Sequence, residues 1–195
     1  MTLPYGVGMP QLTRPAALAL VAAAALLLSA CTGQPPVVLP SPQSSTAPVF
    51  ASDEEALAAA EVAYGEYLAA SDAINAKNGK DPQTIAPFVH HDYLPELLEE
   101  FESVRASRTY VAGNVSFDSI ELQQYSDDLE SPANIVVYLC LDVTSARLMS
   151  ENGKDITPSR TDRLPLEVGF ETDGRSRSLL VKSGELWTGE DFCVK

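Results

Sequence analysis

Residues 135–143 read IVVYLCLDV, an almost unbroken apolar stretch in which Asp142 is the only charged residue. A strand with one solvated face alternates apolar and polar side chains, whereas a strand covered on both faces reads as a continuous apolar run. We therefore predict that this stretch forms the central strand of a sheet. The segments on either side of it must supply the elements that cover its two faces.

Further strands are predicted on both sides of this stretch. The apolar positions before it change phase once, which indicates a β-bulge, at Val115, Phe117, Ile120 and Leu122. After it, residues 164–170 alternate apolar and polar side chains, and residues 179–181 and 185–188 give two shorter strand segments. Asn152-Gly153 and Asp173-Gly174 are typical of hairpin turns, so the strands are predicted to pair antiparallel.

Two helices are predicted ahead of the strands. Ser52 and Glu55 fit a capping box at the start of a helix that spans residues 53–78, and Gly79 can take the left-handed conformation that ends it. Its predicted buried face comprises Leu57, Ala60, Tyr64, Tyr67, Leu68, Ser71 and Ile74. Asp92 can cap a second helix. The buried face of that helix comprises Leu94, Leu97, Leu98, Phe101, Val104 and Arg105.

Helices followed by a run of hairpin-connected strands predict an α+β domain over residues 52–195, with an antiparallel sheet of about four to six strands. This element order resembles the nuclear-transport-factor-2-like cone, also called ketosteroid-isomerase-like or SnoaL-like. The resemblance implies that the two N-terminal helices pack on a curved, cone-like sheet, with the first helix in its concave side. Members of that fold range from enzymes to scaffolds, so the fold does not select a function.

The first 51 residues predict export and anchoring. Residues 16–30 form an uncharged apolar run of 15 residues, too short to span a bilayer comfortably and preceded by Arg14, which is the layout of a signal peptide. Leu28-Ser29-Ala30-Cys31 resembles the bacterial lipobox. That resemblance implies cleavage between Ala30 and Cys31 and a diacylglyceryl group on the Cys31 thiol. An ordinary secretory signal, or an uncleaved anchor, is the alternative.

Five prolines in residues 32–51 favour an extended spacer. The predicted organisation is therefore a lipoprotein signal peptide at 1–30, a lipidated cysteine and tether at 31–51, and the globular domain at 52–195. The Ala-rich, Lys-poor composition and the strand Tyr138-Leu139-Cys140-Leu141-Asp142 are similar to secreted lipoproteins of high-GC Gram-positive bacteria. Those relatives bring no assigned activity.

The charge balance excludes one class of partner. The chain has 27 acidic and 13 basic residues and a net charge of −14, which becomes −15 if residues 1–30, with Arg14, are removed. Nucleic-acid binding depends on a basic surface that releases counterions, so no nucleic-acid partner is expected. The expected partners are the membrane, through the lipid anchor, and an unidentified protein or small ligand on the extracytoplasmic side.

The cysteines predict one disulfide. With Cys31 acylated, Cys140 and Cys193 remain as an even pair in an oxidising compartment. A bridge between them would fasten the last residues to the central strand. Two free buried thiols are the alternative.

The sequence carries no motif of nucleophilic, nucleotide or metal chemistry, so no catalytic residue, cofactor or metal is predicted. His90 and His91, followed by Asp92, could form a two-histidine and carboxylate metal site, but neighbouring side chains are expected to point apart. A polar loop ahead of a helix cap is the favoured interpretation. The acidic group at Asp127, Asp128 and Glu130 lacks the pattern of a calcium loop and is interpreted as a solvated turn.

Four aromatic residues are candidates for lining a pocket inside the cone, with plain core packing as the alternative: Tyr64, Tyr67, Tyr138 and Trp187. Asp142 is embedded in the apolar strand, where burial would raise its pKa, or it simply ends the strand.

Together these patterns predict a membrane-anchored envelope lipoprotein with a non-catalytic binding or interaction domain. The alternatives are an isomerase-like or hydrolytic enzyme in the cone, and a structural tether for another envelope protein.

Overall fold

The computed structural model describes residues 47–128, 131–174 and 176–194. In chain order the elements of this part are α1 (Asp53–Asn75), a 3₁₀ helix (Pro82–Phe88), α2 (Leu94–Ser107), β1 (Thr109–Ala112), β2 (Ser116–Ser126), β3 (Asn134–Asp142), β4 (Arg147–Ser150), β5 (Arg163–Thr172) and β6 (Leu179–Leu186). The α+β class predicted from the sequence is confirmed.

The strands form two antiparallel sheets within the described residues. The larger has the order β2-β3-β5-β6, and the smaller pairs β1 with β4. The larger sheet is open, with β2 and β6 as its edges. Helix α1 packs on one face of it, against β2, β3 and β6.

The two faces of β3 are both covered, as its composition predicts. Ile135, Val137 and Leu139 are fully buried on the face that meets α1. Because side chains alternate along a strand, Tyr138 and Cys140 lie on the opposite face. Cys140 is also fully buried there, and Phe192 of the C-terminal segment stacks on Tyr138 with ring centroids 5.7 Å apart.

A disulfide fixes that C-terminal segment. Cys140 and Cys193 are joined, with Cα atoms 5.5 Å apart, which confirms the predicted pairing. Arg163 adds to the attachment, because its Nε donates to the Cys193 carbonyl at 3.3 Å. The C-terminal residues therefore form the second cover of β3.

Helix α1 begins where the capping box predicts. Ser52 Oγ accepts from the Glu55 amide at 3.3 Å, and the Glu55 carboxylate accepts from the Ala51 amide at 2.7 Å, one residue earlier than in the usual box. The helix ends at Asn75, three residues before the predicted end. Gly79 then takes the predicted left-handed conformation, with φ of +66°.

The second helix differs from prediction at its start. Tyr93, not Asp92, is the N-cap residue, and no side chain caps the helix. The proline-containing connection before it includes the 3₁₀ helix, with Pro82 at its start. Proline fixes φ near the value that a 3₁₀ turn needs, so this short helix is compatible with a proline-rich sequence.

The predicted bulge and the predicted turn at Asn152-Gly153 both form. The bulge in β2 is confirmed: the register with β3 shifts between Asp118 and Glu121, where Ser119 has a φ of +54°. The turn at Asn152-Gly153 also forms, and Met149 bridges to Asp155 beyond it. Along its length, β4 pairs with β1.

The packed part of the chain includes residues that the sequence assigned to the tether. Val49 and Phe50 are 6% and 2% exposed and belong to the core. The Asp127 carboxylate accepts from the Val49 amide, and the Phe50 amide donates to the Tyr125 hydroxyl at 3.0 Å. Apolar side chains after Pro48 bury themselves in spite of the proline-rich composition before them.

The predicted signal peptide, its cleavage site at Ala30 and Cys31, and residues 31–46 of the tether lie outside the described residues, as does Glu130. Among the helices of the described residues, none combines the length and the apolar character that crossing a membrane requires.

Candidate functional site

Two adjoining cavities lie between α1 and the larger sheet. One measures about 200 Å³ and the other about 260 Å³. Leu68, Asp72 and Val115 line both. The apolar remainder of the smaller cavity comes from the α1-facing side of the sheet, at Leu141, Leu166 and Val181. The larger cavity also reaches Gly65 and Phe117.

Helical spacing positions the groups on α1. Residues three or four apart share a helix face, so Tyr64, Leu68 and Asp72 follow one another down the side that meets the cavities. A glycine in a helix interior is unfavourable, yet Gly65 lies in the middle of α1. A β-carbon at that position would meet no atom within 4 Å, so Gly65 opens onto free space at the larger cavity.

Asp72 is the carboxylate of this site. Its Oδ2 accepts a hydrogen bond from the Val115 amide at 3.1 Å. Burial raises the pKa of Asp72 above its ordinary value, although the Val115 bond acts in the other direction. The sequence pattern alone does not single out Asp72. The available signal was its position four residues after Leu68, on the apolar side of an otherwise regular helix.

Three tyrosines surround the smaller cavity. The ring centroids of Tyr64 and Tyr67 are 5.7 Å apart, and the hydroxyls of Tyr67 and Tyr93 are hydrogen-bonded to each other. Burial raises the pKa of Tyr64 and Tyr67 above the usual range, and burial together with Glu100 and Glu96 raises that of Tyr93 to about 12. All three hydroxyls are therefore protonated at neutral pH and able to donate hydrogen bonds.

The four aromatic residues predicted to line one pocket divide between the two faces of the sheet. Tyr64 and Tyr67 line the smaller cavity. Tyr138 and Trp187 contact each other on the opposite face, with ring centroids 4.6 Å apart and the ring planes tilted by 43°. The prediction is therefore wrong for these two, because the parity of β3 places Tyr138 on the face away from α1.

Asp142 is not the buried acid that the sequence suggested. Its carboxylate accepts from the Thr144 amide at 2.9 Å and pairs with Arg163 at 3.3 Å. These interactions, the Thr144 bonds first, hold the pKa of Asp142 below its ordinary value. Arg163 also binds Asp118 at 2.6 Å, so Asp142 belongs to an ion cluster that spans β2, β3 and β5.

His90, His91 and Asp92 do come together. The two imidazole rings are 4.0 Å apart at their centroids, which contradicts the expectation that neighbouring side chains point apart. The chain leaves its extended conformation immediately after His90, where the Tyr93 amide donates to the His90 carbonyl at 3.0 Å. Within the described residues, these three are the group whose ligand atoms could hold a metal ion together.

The acidic turn has a structural role in the described residues. The Asp127 carboxylate accepts from the Val49 amide and from the Tyr125 hydroxyl, and so holds the start of the packed chain.

Comparison with known proteins does not assign the chain. No family model matches it. No curated protein sequence matches it either. Among solved structures, it is similar to the intermembrane space region of the chloroplast protein ARC6, with a TM-score of 0.48 and 7% identity over 67% of this chain and 95% of that one. A de novo designed beta-sheet protein has a TM-score of 0.29 and 14% identity, covering 73% and 95%. At these TM-scores neither similarity supports a functional argument.

Proposed function

We propose that the chain is an envelope lipoprotein, anchored through Cys31 on the extracytoplasmic side of the membrane, whose folded domain binds a small ligand under α1. The observation that carries the binding proposal is the pair of adjoining cavities, whose mixed lining includes leucines, tyrosines, small polar side chains and the Asp72 carboxylate. Binding sites for small molecules combine mainly apolar linings with a few polar groups that orient the ligand.

The lining limits the chemistry of the ligand. Leu68, Leu141 and Leu166 favour an apolar body, and the Asp72 carboxylate favours a hydroxyl or amine donor beside it. Cavities of about 200 and 260 Å³ lie below the roughly 300–1,000 Å³ of pockets for drug-sized molecules. We therefore infer a compact ligand, or the compact end of a longer one.

The cone-like arrangement is part of the same proposal. Helix α1 packs against one face of the larger sheet, and the register shifts in β2 permit the sheet to bend around it. This arrangement fits the nuclear-transport-factor-2-like lipoprotein that the element order resembles.

Gly65 offers a matched pair of variants that test ligand binding. Gly65→Phe adds a ring where the wild-type helix faces open space, whereas Gly65→Ala adds only a methyl group. Native mass spectrometry of the protein extracted from its own membranes should find a bound small-molecule mass in the wild type and in Gly65→Ala, and none in Gly65→Phe. Absence of such a mass from the wild type, or its retention in Gly65→Phe, would contradict the proposal.

The anchor is tested separately. Cys31→Ala should abolish the mass increase of a diacylglyceryl group and release the protein from the membrane pellet, because two acyl chains hold a protein stably on a bilayer. A variant that is processed to the same mass and stays in the pellet would overturn the lipoprotein assignment without affecting the ligand-binding test.

One observation favours an enzyme as the second candidate. Asp72 combines a raised pKa with a position at both cavities, near protonated tyrosines, and such a carboxylate can serve as a general acid or base. Incubation of the purified protein with the compound identified by mass spectrometry decides between the two. Turnover that Asp72→Asn abolishes supports the enzyme, and unchanged compound supports the binding module.

A structural tether remains the third proposal. It predicts that cells with Gly65→Phe behave as cells with the wild-type protein do, because a tether does not use the cavities.

A further inference from the structure

The edge of the larger sheet carries both histidines of the chain. Val89 bridges to Val181 of β6, and the His90 amide donates to the Val181 carbonyl at 2.8 Å. Val89 is buried, and alternation along this extended segment turns His90 to the opposite side. The backbone of His90 is thus fixed by the sheet.

A largely buried carboxylate fixes the orientation of the His90 ring. His90 Nε2 lies 3.1 Å from Glu171 Oε1, and the two side chains are 9% and 15% exposed. Glu171 is also paired with Lys182, which neutralises its charge. A hydrogen on Nε2 that points at Glu171 leaves the lone pair on Nδ1, the atom that faces Asp92. A carboxylate behind a histidine in this way is the usual support of a histidine that binds a metal.

The remaining ligand atoms stand at suitable distances. His90 Nδ1 is 3.5 Å from Asp92 Oδ2, and His91 Nε2 is 3.2 Å from Asp92 Oδ1. Ligands at about 2.0–2.1 Å from a tetrahedral zinc ion are about 3.3–3.4 Å from each other. One ligand atom from each of the three residues lies within 4.8 Å of the other two. Small side-chain rotations therefore suffice to bring all three atoms to bonding distance of one ion.

Accessibility distributes the roles of the three residues. The His91 and Asp92 side chains are 81% and 68% exposed, so an ion can reach them from solvent. His90 is rigid and buried, and it supplies the fixed point around which the two exposed ligands close. Its present Nδ1 contact, with the Asp92 amide, is a long hydrogen bond of 3.3 Å that a metal would replace.

We propose that His90 Nδ1, the His91 imidazole and the Asp92 carboxylate bind a divalent transition-metal ion, with Zn²⁺ as the best match. Two imidazoles and one carboxylate suit zinc, whereas magnesium and calcium prefer oxygen ligands alone. Three protein ligands leave a fourth position of the tetrahedron open to water or to a donor group from another molecule.

Calorimetric titration of ZnCl₂ into the full chain in detergent tests the site. The wild type should bind one Zn²⁺ that MgCl₂ does not displace. His91→Ala and Asp92→Asn each remove an exposed ligand and should weaken binding by about tenfold or more. Asp81→Asn is the matched control, because Asp81 is an exposed aspartate outside the cluster, and it should bind as the wild type does.

X-ray absorption of the zinc complex gives an independent result. Because the chain contains only His90 and His91 as imidazole ligands, the wild-type spectrum should show two imidazoles on zinc, and the His91→Ala spectrum one. Equal affinity of wild type and His91→Ala, or a spectrum without imidazole ligands, would overturn the site. Circular dichroism of the two variants should match the wild type, since both positions are exposed.

Discussion

The two faces of the four-stranded sheet are covered by different means. On one face α1 packs against the fully buried Ile135, Val137 and Leu139, and it leaves two cavities with Asp72 at their junction. On the other face the cover is a short C-terminal segment that a disulfide to Cys140 holds in place.

The two covers are held on the sheet by different interactions. A 23-residue helix buries enough apolar surface to hold itself on the sheet, and it can tolerate unfilled space and a carboxylate. The segment after β6 has no such area, and its attachment depends on the disulfide, the aromatic stack on Tyr138 and Arg163. The α1 face can therefore accommodate the two cavities.

Among variants that affect the two faces, loss of the disulfide should change the free energy of unfolding most. Replacement of both Cys140 and Cys193 by Ser opens a loop with a sequence separation of 53 residues. The chain-entropy relation predicts a loss of about 4 kcal/mol in the free energy of unfolding. Urea denaturation of the oxidised wild type and the double variant measures it, and reduced wild type should behave as the variant does. A loss below about 1 kcal/mol would show that the C-terminal segment holds itself in place.

A smaller effect, of opposite sign, is expected on the α1 face. Gly65→Ala should raise the free energy of unfolding by about 0.5–1 kcal/mol, because alanine has the better helix propensity and its methyl group meets no neighbour. The shift of the urea midpoint measures the gain. A loss of stability would mean that the space beside Gly65 closes in solution.

The smallest expected effects are the opposite pH dependences of Asp72 and Asp142. The pKa of Asp142 is lowered in the folded state, so its contribution is present above about pH 3.8, the value for an unfolded aspartate, and is lost on acidification. The pKa of Asp72 is raised, so its ionisation reduces stability as the pH rises through that raised pKa.

Asparagine at each position separates the two signs. The compared quantity is the free energy of unfolding of the variant minus that of the wild type. For Asp142→Asn this difference should be more negative at pH 7 than at pH 3. For Asp72→Asn it should be more positive at pH 7 than at pH 3. Urea midpoints measured across this range test both. Parallel pH profiles for the two variants would be inconsistent with the proposed environments.

The sequence predicted those features that depend on local pattern. The central strand, the start of α1 and the bulge in β2 follow from apolar period and capping residues, which act over a few positions. The disulfide was predictable because the predicted export left Cys140 and Cys193 as a pair. The cone-like curvature and the anchor at Cys31 stay predictions.

The features that the sequence did not predict depend on the path of the chain in three dimensions. Asp72 became a candidate only when α1 was placed against Val115, 43 residues away. His90 and His91 meet because the chain turns immediately after an edge contact with β6, which no local period indicates. Tyr138 and Trp187 were grouped with the wrong face because the sequence does not state which parity of β3 meets the helix.

The way in which the packed chain begins has a mechanical consequence. Val49 and Phe50 are bonded to Asp127 and Tyr125, at the end of a strand that is 75 or more positions away in the sequence. A pull on the chain ahead of Val49 therefore loads the edge of the sheet directly, and the first turn of α1 is shielded from it. A domain held in this way can bear traction on that segment without unwinding the helix beside its cavities.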